Sequence, residues 1–521
     1  MSQHATLPAQ TRPADQVALP GMHDQDFRRL GHEAVEIAAD YLSGIRDEPV
    51  FRVMPDSVRA TLIGQPLGDE GVPAGQLLHE VRDTILPYPM GNGHPRFFGW
   101  VNSPPAPVGV IAELLAAAQD PSCDVGDIAS LHVETAVLGW FKQLMGFPDA
   151  AAGILVSGGT MASLTGLAAA RQWVAETDGW DVRRDGVQPP DGRRLLVYAS
   201  QEVHSSIRKS VELLGIGSGA IRQVAVDRDY RLDVADLVEQ LEADLAAGAR
   251  PFCVVASAGT TNTGAVDPLA ELAELCQRYR LWLHVDGAYG AIASLHPDRA
   301  ELMAGLRQAN SLTLDPHKWL SVPVECGCAL VRDGELLRRT FAYVPPYLHT
   351  EDGVGVGGPD FAQYGFQQTR GFRALKLWMV LRQLGRRGLV ELIDRHLKLA
   401  AELTELVDAT PYLQRVAPTT LSVIAFRYIP PGDQPVSDEW LSQLNRQIEA
   451  RVQTDGRVFL TSTHLREGLV LRACILNYAT ESADLAELVE VIGELGAELA
   501  PSGHDQALAP ASAVEPARAL L

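Results

Sequence analysis

The sequence predicts an α/β chain in which a mostly parallel sheet is flanked by helices, preceded by a helical N-terminal arm and followed by a small α+β domain. Three observations predict it. Short apolar runs, such as Ile154-Leu155-Val156, Phe252-Cys253-Val254-Val255-Ala256 and Leu281-Trp282-Leu283, alternate with stretches of helical spacing, as buried parallel strands joined by helices do. Several of these runs give way to Gly, Ser, Thr or Asp where another apolar residue would only lengthen a strand. The chain has 521 residues, far more than one compact core usually holds.

Taken in order, residues 1–22 read as a disordered tail. Residues 23–102 read as amphipathic helices, notably 26–45 and 76–85, whose apolar faces match too poorly to fold alone and are expected to wrap a partner subunit. Residues 103–385 form the expected large domain, and 386–500 a smaller one with strand-like stretches at 421–427 and 469–474. The run 501–521, rich in Ala and Pro, reads as a second disordered tail.

Lys318 is the candidate aldehyde-binding amine, set between His317 and Trp319 after the apolar run that ends at Leu314. Upstream, Leu281-Trp282-Leu283-His284-Val285-Asp286 reads as a buried strand running into a carboxylate, followed by Gly287-Ala288-Tyr289-Gly290. Pyridoxal phosphate gives both residues a purpose: its aldehyde needs an amine, and its ring nitrogen needs an anion that keeps it protonated. Lys318 and Asp286 are assigned these roles. The cofactor's phosphate needs backbone donors, and Ser157-Gly158-Gly159-Thr160 precedes a helical pattern whose first N–H groups, with the Thr160 hydroxyl, can supply them. The same turn also reads as an ordinary helix cap. His204, at the end of a strand-like stretch, offers a flat imidazole to stack on the cofactor and share protons near neutral pH. After another apolar run, Thr260 and Thr261 place a hydroxyl within reach of the cofactor or a substrate carboxylate.

These residues stand in an order that resembles the pyridoxal-phosphate-dependent group II amino-acid decarboxylases, in particular those acting on aromatic amino acids. The likeness runs from about Phe27 through His94-Pro95-Arg96-Phe97-Phe98, the Gly-Gly-Thr turn, Glu202-Val203-His204-Ser205-Ser206, Val285-Asp286-Gly287-Ala288-Tyr289, Asp315-Pro316-His317-Lys318-Trp319 and Arg370-Gly371-Phe372-Arg373 to His464-Leu465-Arg466. It implies fold type I, the aspartate-aminotransferase-like architecture, and a homodimer in which loop and pocket residues cross the subunit boundary. By this resemblance Lys318 binds the aldehyde, Asp286 faces the pyridine nitrogen and His204 stacks on the ring. Gly159, Thr160, Asp315 and His317 line the phosphate end, with Ala288 beside the cofactor and Thr261 near the substrate carboxylate. Many relatives have Asn where this chain has Asp315, which brings a second negative charge toward the phosphate.

The resemblance also implies the reaction, loss of carbon dioxide from the α-carbon followed by its protonation. The family carries the proton donor, a Tyr, on a mobile loop, and Tyr347, followed by the glycines of 353–358, matches it. Relatives with Phe at this position divert the reaction to oxygen and release an aldehyde, so Tyr347 argues for an amine product. Trp100, Val101 and Ser103 are the expected substrate-binding floor, joined by His204. The stretch 122–128 lacks the aromatic cluster of aromatic-acid decarboxylases, and Asp124 or Asp127 could welcome a basic side chain instead. Arg370 is expected to support the loop or a carboxylate.

Composition narrows the remaining classes. A net charge of −21 disfavours general binding to nucleic acid or to an anionic membrane. The six cysteines show neither zinc-site spacing nor a disulfide framework, and no metal is expected. No apolar stretch is long enough to span a bilayer, and the polar N-terminus lacks a signal-peptide core, so a cytoplasmic enzyme acting on a small-molecule amino-acid substrate is expected. Two alternatives stay open: another reaction of the same cofactor, such as transamination, desulfuration, decarboxylation of an acidic or basic amino acid or oxidative aldehyde formation, and a catalytically silent interaction protein.

Overall fold

The computed structural model describes residues 22–69, 71–343, 349–350, 353–354, 358–432 and 436–500, with 349–350 and 353–354 described by backbone alone. The tails expected at 1–22 and 501–521 lie outside the described residues except for Met22. Seven strands build the central sheet: β1 (Ala152–Val156), β2 (Leu195–Ser200), β3 (Ile221–Val224), β4 (Arg250–Ser257), β5 (Trp282–Asp286), β6 (Ser311–Leu314) and β7 (Gly327–Val331). Their spatial order is β1-β7-β6-β5-β4-β2-β3, and β7 alone runs against its neighbours. The α/β expectation with a mostly parallel sheet therefore holds.

Helices cover both faces of this sheet, which is why β2 and β4 read as nearly unbroken apolar runs. Every residue of β2 is buried, as is every residue of β4 after Arg250. The helix Gly159–Asp178 packs across β5, β6 and β7 with a face of small residues, including Ala162, Ser163, Gly166, Ala169 and Ala170. Gly166 is required there, because a Cβ would stand 2.8 Å from Nδ1 of the buried His284 on β5.

Two further strands, β8 (His349–Thr350) and β9 (Gly353–Val354), pair antiparallel. Beyond them the helix Arg373–Ala409 buries Leu377, Val380, Leu381 and Ile393 in the main core and Leu399, Leu403 and Val407 in a second one. It is broken at Gly385, whose φ of 60° lies in the left-handed region that favours glycine. The second core is roofed by β10 (Leu413–Arg415), β11 (Val423–Tyr428), β12 (Thr461–Leu465) and β13 (Gly468–Cys474), an antiparallel sheet ordered β10-β11-β13-β12. Helices Asp438–Asp455 and Ser482–Leu499 pack against it.

Among the N-terminal residues, 22–48 and 52–90 form a separate unit. Its helices Asp24–Gly44 and Ala74–Glu80 meet where a Cβ on Gly75 would touch Leu30 at 3.7 Å, and His79 reaches Glu33 at 2.9 Å. Leu30 is the one buried residue of the first helix, so this unit has little core of its own. All six cysteines are buried and unpaired. No helix among the described residues is long and apolar enough to cross a membrane, and no described group of three His, Cys, Asp or Glu could hold a metal ion.

The start of β7 presses against the turn after β1: a Cβ on Gly327 would lie 2.5–2.8 Å from backbone atoms of Gly158. Gly327→Ala is therefore expected to destabilise the protein by about 1–3 kcal/mol, because backbone and not a flexible side chain must move. Thermal unfolding followed by circular dichroism checks this, and an unchanged midpoint would show that the contact has slack.

Candidate active site

Every expected site residue carried by the sheet lies where β1, β2, β4, β5 and β6 reach their carboxyl ends, the customary crevice of an open α/β sheet. After β6 the chain turns tightly, and the Lys318 amide donates to the Asp315 carbonyl at 2.9 Å. Four contacts pin this turn. His317 engages the Cys326 carbonyl through Nδ1 at 2.7 Å, and the Ser103 hydroxyl donates to the His317 carbonyl at 3.1 Å. Trp319, 1% exposed, stacks on Tyr289 at 5.1 Å and donates its indole N–H to His396 Nδ1 at 2.9 Å.

Held in this way, Lys318 keeps about a quarter of its side chain exposed, and its Nζ lies 3.2 Å from Asp315 Oδ2. His317 Nε2 is 3.8 Å from the same oxygen, while Asp315 Oδ1 is buried with no hydrogen-bond partner. Asp286 ends β5, and one of its oxygens accepts the Ala288 amide at 3.2 Å.

Beneath Asp286 runs a buried polar chain that the sequence reading missed. Trp282 donates its indole N–H to Ser311 Oγ at 2.8 Å, and Ser311 is 2.8 Å from His284 Nδ1. His284 Nε2 is 3.5 Å from Thr313 Oγ1, which is 3.1 Å from Ser163 Oγ. Since indole only donates, Ser311 accepts from Trp282 and keeps its own proton to offer His284.

His204 caps the helix Ser205–Leu213, its Nδ1 accepting the Ser206 amide at 3.2 Å, so the neutral ring carries its proton on Nε2. Burial pushes its pKa below the ordinary imidazole value. The Asp286 carboxylate opposes this, the Lys318 ammonium adds to it and the Asp315 carboxylate opposes it again. His204, Asp286, Lys318 and Asp315 therefore share one electrostatic neighbourhood.

The helix Gly159–Asp178 opens with no side-chain cap, leaving the backbone N–H groups of its first turn for another acceptor. Thr160 is exposed at this end. A Cβ on Gly159 would strike Asp315 Oδ2 at 2.7 Å and Ala288 Cβ at 3.3 Å, so only glycine lets the helix come this close to the Lys318 turn. Thr260 is buried and engaged with Thr263 at 3.0 Å, whereas the Thr261 hydroxyl has no partner among the described residues.

The expected pocket residues separate. Ser103 is tied to the Lys318 turn, Val101 is packed into the main core, and Trp100 lies tilted against Phe97 and Phe459 at 5.9 and 5.5 Å. The carbonyl of Trp100 accepts from buried Arg472 at 3.1 Å. Asp124 caps its own turn through the Val125 amide at 2.9 Å, and Asp127 meets exposed His132 at 2.5 Å. Arg370 is fully buried against Glu134 at 2.8 Å and over the Phe361 ring at 5.2 Å, where it joins β1 to the segment after 358. Tyr347 lies outside the described residues.

Comparison with known proteins follows this geometry. The model of the pyridoxal-dependent decarboxylase conserved domain matches residues 55–429. An aromatic-L-amino-acid decarboxylase of Bacillus atrophaeus is 32% identical over 480 residues, covering 92% of this chain and 97% of that protein. An L-2,4-diaminobutyrate decarboxylase of Rhizobium meliloti (strain 1021) is 34% identical, over 83% of this chain and 84% of its own. Among solved structures, an Oryza sativa TDC with PLP and tryptamine superposes with a TM-score of 0.84 at 28% identity, covering 92% of this chain and 99% of that one.

Burial pushes His284 and His396 down to about 4 and lowers His204 as well. The unfolded chain takes up protons near pH 6.5 that these folded imidazoles refuse, so the stability they confer is full above that pH and is lost as pH falls toward 4. Denaturant midpoints measured from pH 7 to 4 should fall, and His396→Phe should flatten the slope. An unchanged slope in that variant would show that His396 protonates without unfolding.

Proposed function

The chain belongs to the pyridoxal-dependent decarboxylase family, and from that premise we propose that it converts an aromatic L-amino acid to its amine and carbon dioxide. It is a pyridoxal-phosphate-dependent carboxy-lyase of amino acids. The donor set fits this cofactor: an accessible amine at Lys318, a carboxylate at the end of β5, a partly exposed imidazole at His204 and an uncapped helix N-terminus that only glycine brings up to the Lys318 turn.

Lys318 would hold the aldehyde, Asp286 the ring nitrogen and His204 the face of the ring. Gly159, Thr160, His317 and Asp315 would line the phosphate, with Ala288 and Thr261 at the edges. Bound there, the cofactor supplies an electron sink for the bond that breaks. The chain's own residues do the rest. The Asp286 carboxylate, held by the Ala288 amide, would keep a proton on the ring nitrogen. His204, neutral near pH 7 because burial lowers its pKa, holds a proton at Nε2 toward the site and is free to share it. Tyr347, from its place in the sequence, is the proposed donor to the α-carbon.

The aromatic choice is supported by Trp100, which continues a cluster with Phe97 and Phe459, and by the Bacillus relative. The Rhizobium relative favours a second reading, a short basic amino acid. A homodimer is proposed on the small core of the N-terminal unit, and a cytoplasmic setting on six buried, unpaired thiols. The observation that carries the decarboxylase reading is the gathering of Lys318, Asp286 and His204 at the carboxyl ends of β6, β5 and β2, within one electrostatic neighbourhood.

The test is carbon dioxide release from L-tyrosine, L-tryptophan, L-phenylalanine, L-DOPA, L-glutamate and L-2,4-diaminobutyrate, with the amine identified by mass. One aromatic acid giving stoichiometric amine is expected; release from diaminobutyrate alone would overturn the aromatic choice, and release from none the decarboxylase reading. Lys318→Ala should lower turnover on the order of 10³-fold or more. Tyr347→Phe should lower amine while a dioxygen-dependent aldehyde, with peroxide, rises. If amine persists at the wild-type rate, Tyr347 is not the proton donor.

A further inference from the structure

We propose that Asp315 is the counter-ion of Lys318 in the cofactor-free protein and that the same carboxylate opposes the cofactor's phosphate, so that this chain holds pyridoxal phosphate less tightly than its fold permits. The inference rests on the cofactor reading above. The Asp315 side chain is 3% exposed and too confined to leave, with Oδ2 at 3.2 Å from Lys318 Nζ and 3.8 Å from His317 Nε2. Its backbone is fixed, since the Asp315 amide donates to the Ala288 carbonyl at 3.2 Å. The second oxygen, Oδ1, is buried with no donor, so the carboxylate is only half compensated.

Position makes this carboxylate consequential. A Cβ on Gly159 would stand 2.7 Å from Oδ2, which places the carboxylate against the first residue of the uncapped helix Gly159–Asp178. In the cofactor-free protein Asp315 is thus the anion resident at that helix N-terminus, favoured both by the helix dipole and by Lys318. A phosphate dianion arriving at the same backbone N–H groups comes second and meets a like charge in a water-poor setting, where Coulomb repulsion is weakly screened. An Asn of the same shape would carry no charge and would offer an N–H to the phosphate.

The two halves of the proposal predict opposite signs. Asp315→Asn strips Lys318 of its partner and should lower the melting temperature of the apoenzyme, because a half-buried ammonium is left unpaired. The same change removes the repulsion, so the Kd for pyridoxal phosphate should fall by roughly tenfold. Mass action then makes the rise in melting temperature on saturation larger for the variant than for wild type.

The experiment uses full-length apoenzyme, with pyridoxal 5'-phosphate titrated by visible absorption and thermal unfolding recorded with and without saturating cofactor. Pyridoxal, which lacks the phosphate, serves as the second probe and should bind wild type and variant within about twofold of each other. Tighter pyridoxal phosphate binding, with a lower apoenzyme melting temperature and a larger rise on saturation, is the expected result. An unchanged or raised Kd, or equal tightening toward pyridoxal, overturns the proposal. Asp315→Ser repeats the test should the Asn variant fail to fold. Wild type that takes up no pyridoxal phosphate is a different failure, that of the cofactor reading itself.

Discussion

The indole of Trp319 is the contact on which the rest of the site depends. It lies flat on Tyr289 from the loop after β5 and gives its N–H to His396 on the long helix. Tyr289 in turn accepts the Ser422 amide at 2.8 Å, just before β11. One fully buried ring therefore ties the residue after Lys318 to the strand that ends in Asp286 and to the C-terminal sheet. An indole with a satisfied N–H and a stacked face has a single low-energy position, so Lys318 leaves a rigid base and its ammonium meets the Asp315 carboxylate. That is the division of labour a reactive amine requires, with a fixed origin and a partly exposed tip.

Charge within the crevice is arranged on a similar principle. Below it, the Trp282–Ser311–His284–Thr313–Ser163 chain is buried, and burial keeps His284 neutral. No uncompensated charge therefore lies under Asp286 to compete for it. Beside it, Arg370 and Glu134 cancel each other in the core while they bind the end of β1. Breaking either system would leave a buried polar group unsatisfied, which is the costly case. Asp315, within the crevice itself, is a carboxylate with one oxygen paired to Lys318 and the other left without a donor.

Much of this was legible in the chain because it is local. Parallel strands buried on both faces announce themselves as apolar runs, and the residues that follow each run have to sit at a strand end, so Asp286, His204 and Gly159 could be located from neighbours alone. The N-terminal helices were legible from their spacing; 24–44 is helical where 26–45 was expected, and 74–80 continues into a wider turn through Ile85. The order of strands in space was not legible. Nothing near β7 marks it as the one strand that runs backward between β1 and β6, since that reversal depends on which edge is free when the chain returns.

The sequence by itself determined the α/β class, the cofactor-type residues and their order, because strand periodicity, a glycine turn and a Lys flanked by His and Trp are short-range signals. Only the tertiary structure decided which groups meet. Glu134 and Arg370, Trp319 and His396, Trp282 and Ser311, and Ser103 and the His317 carbonyl are far apart in the chain and carry no mutual mark in it. It also decided the direction of Asp315, which the sequence could place near a phosphate but could not aim. The turn geometry and the glycine facing it turn that carboxylate toward Lys318, because backbone packing, and not residue type, sets where a short side chain points.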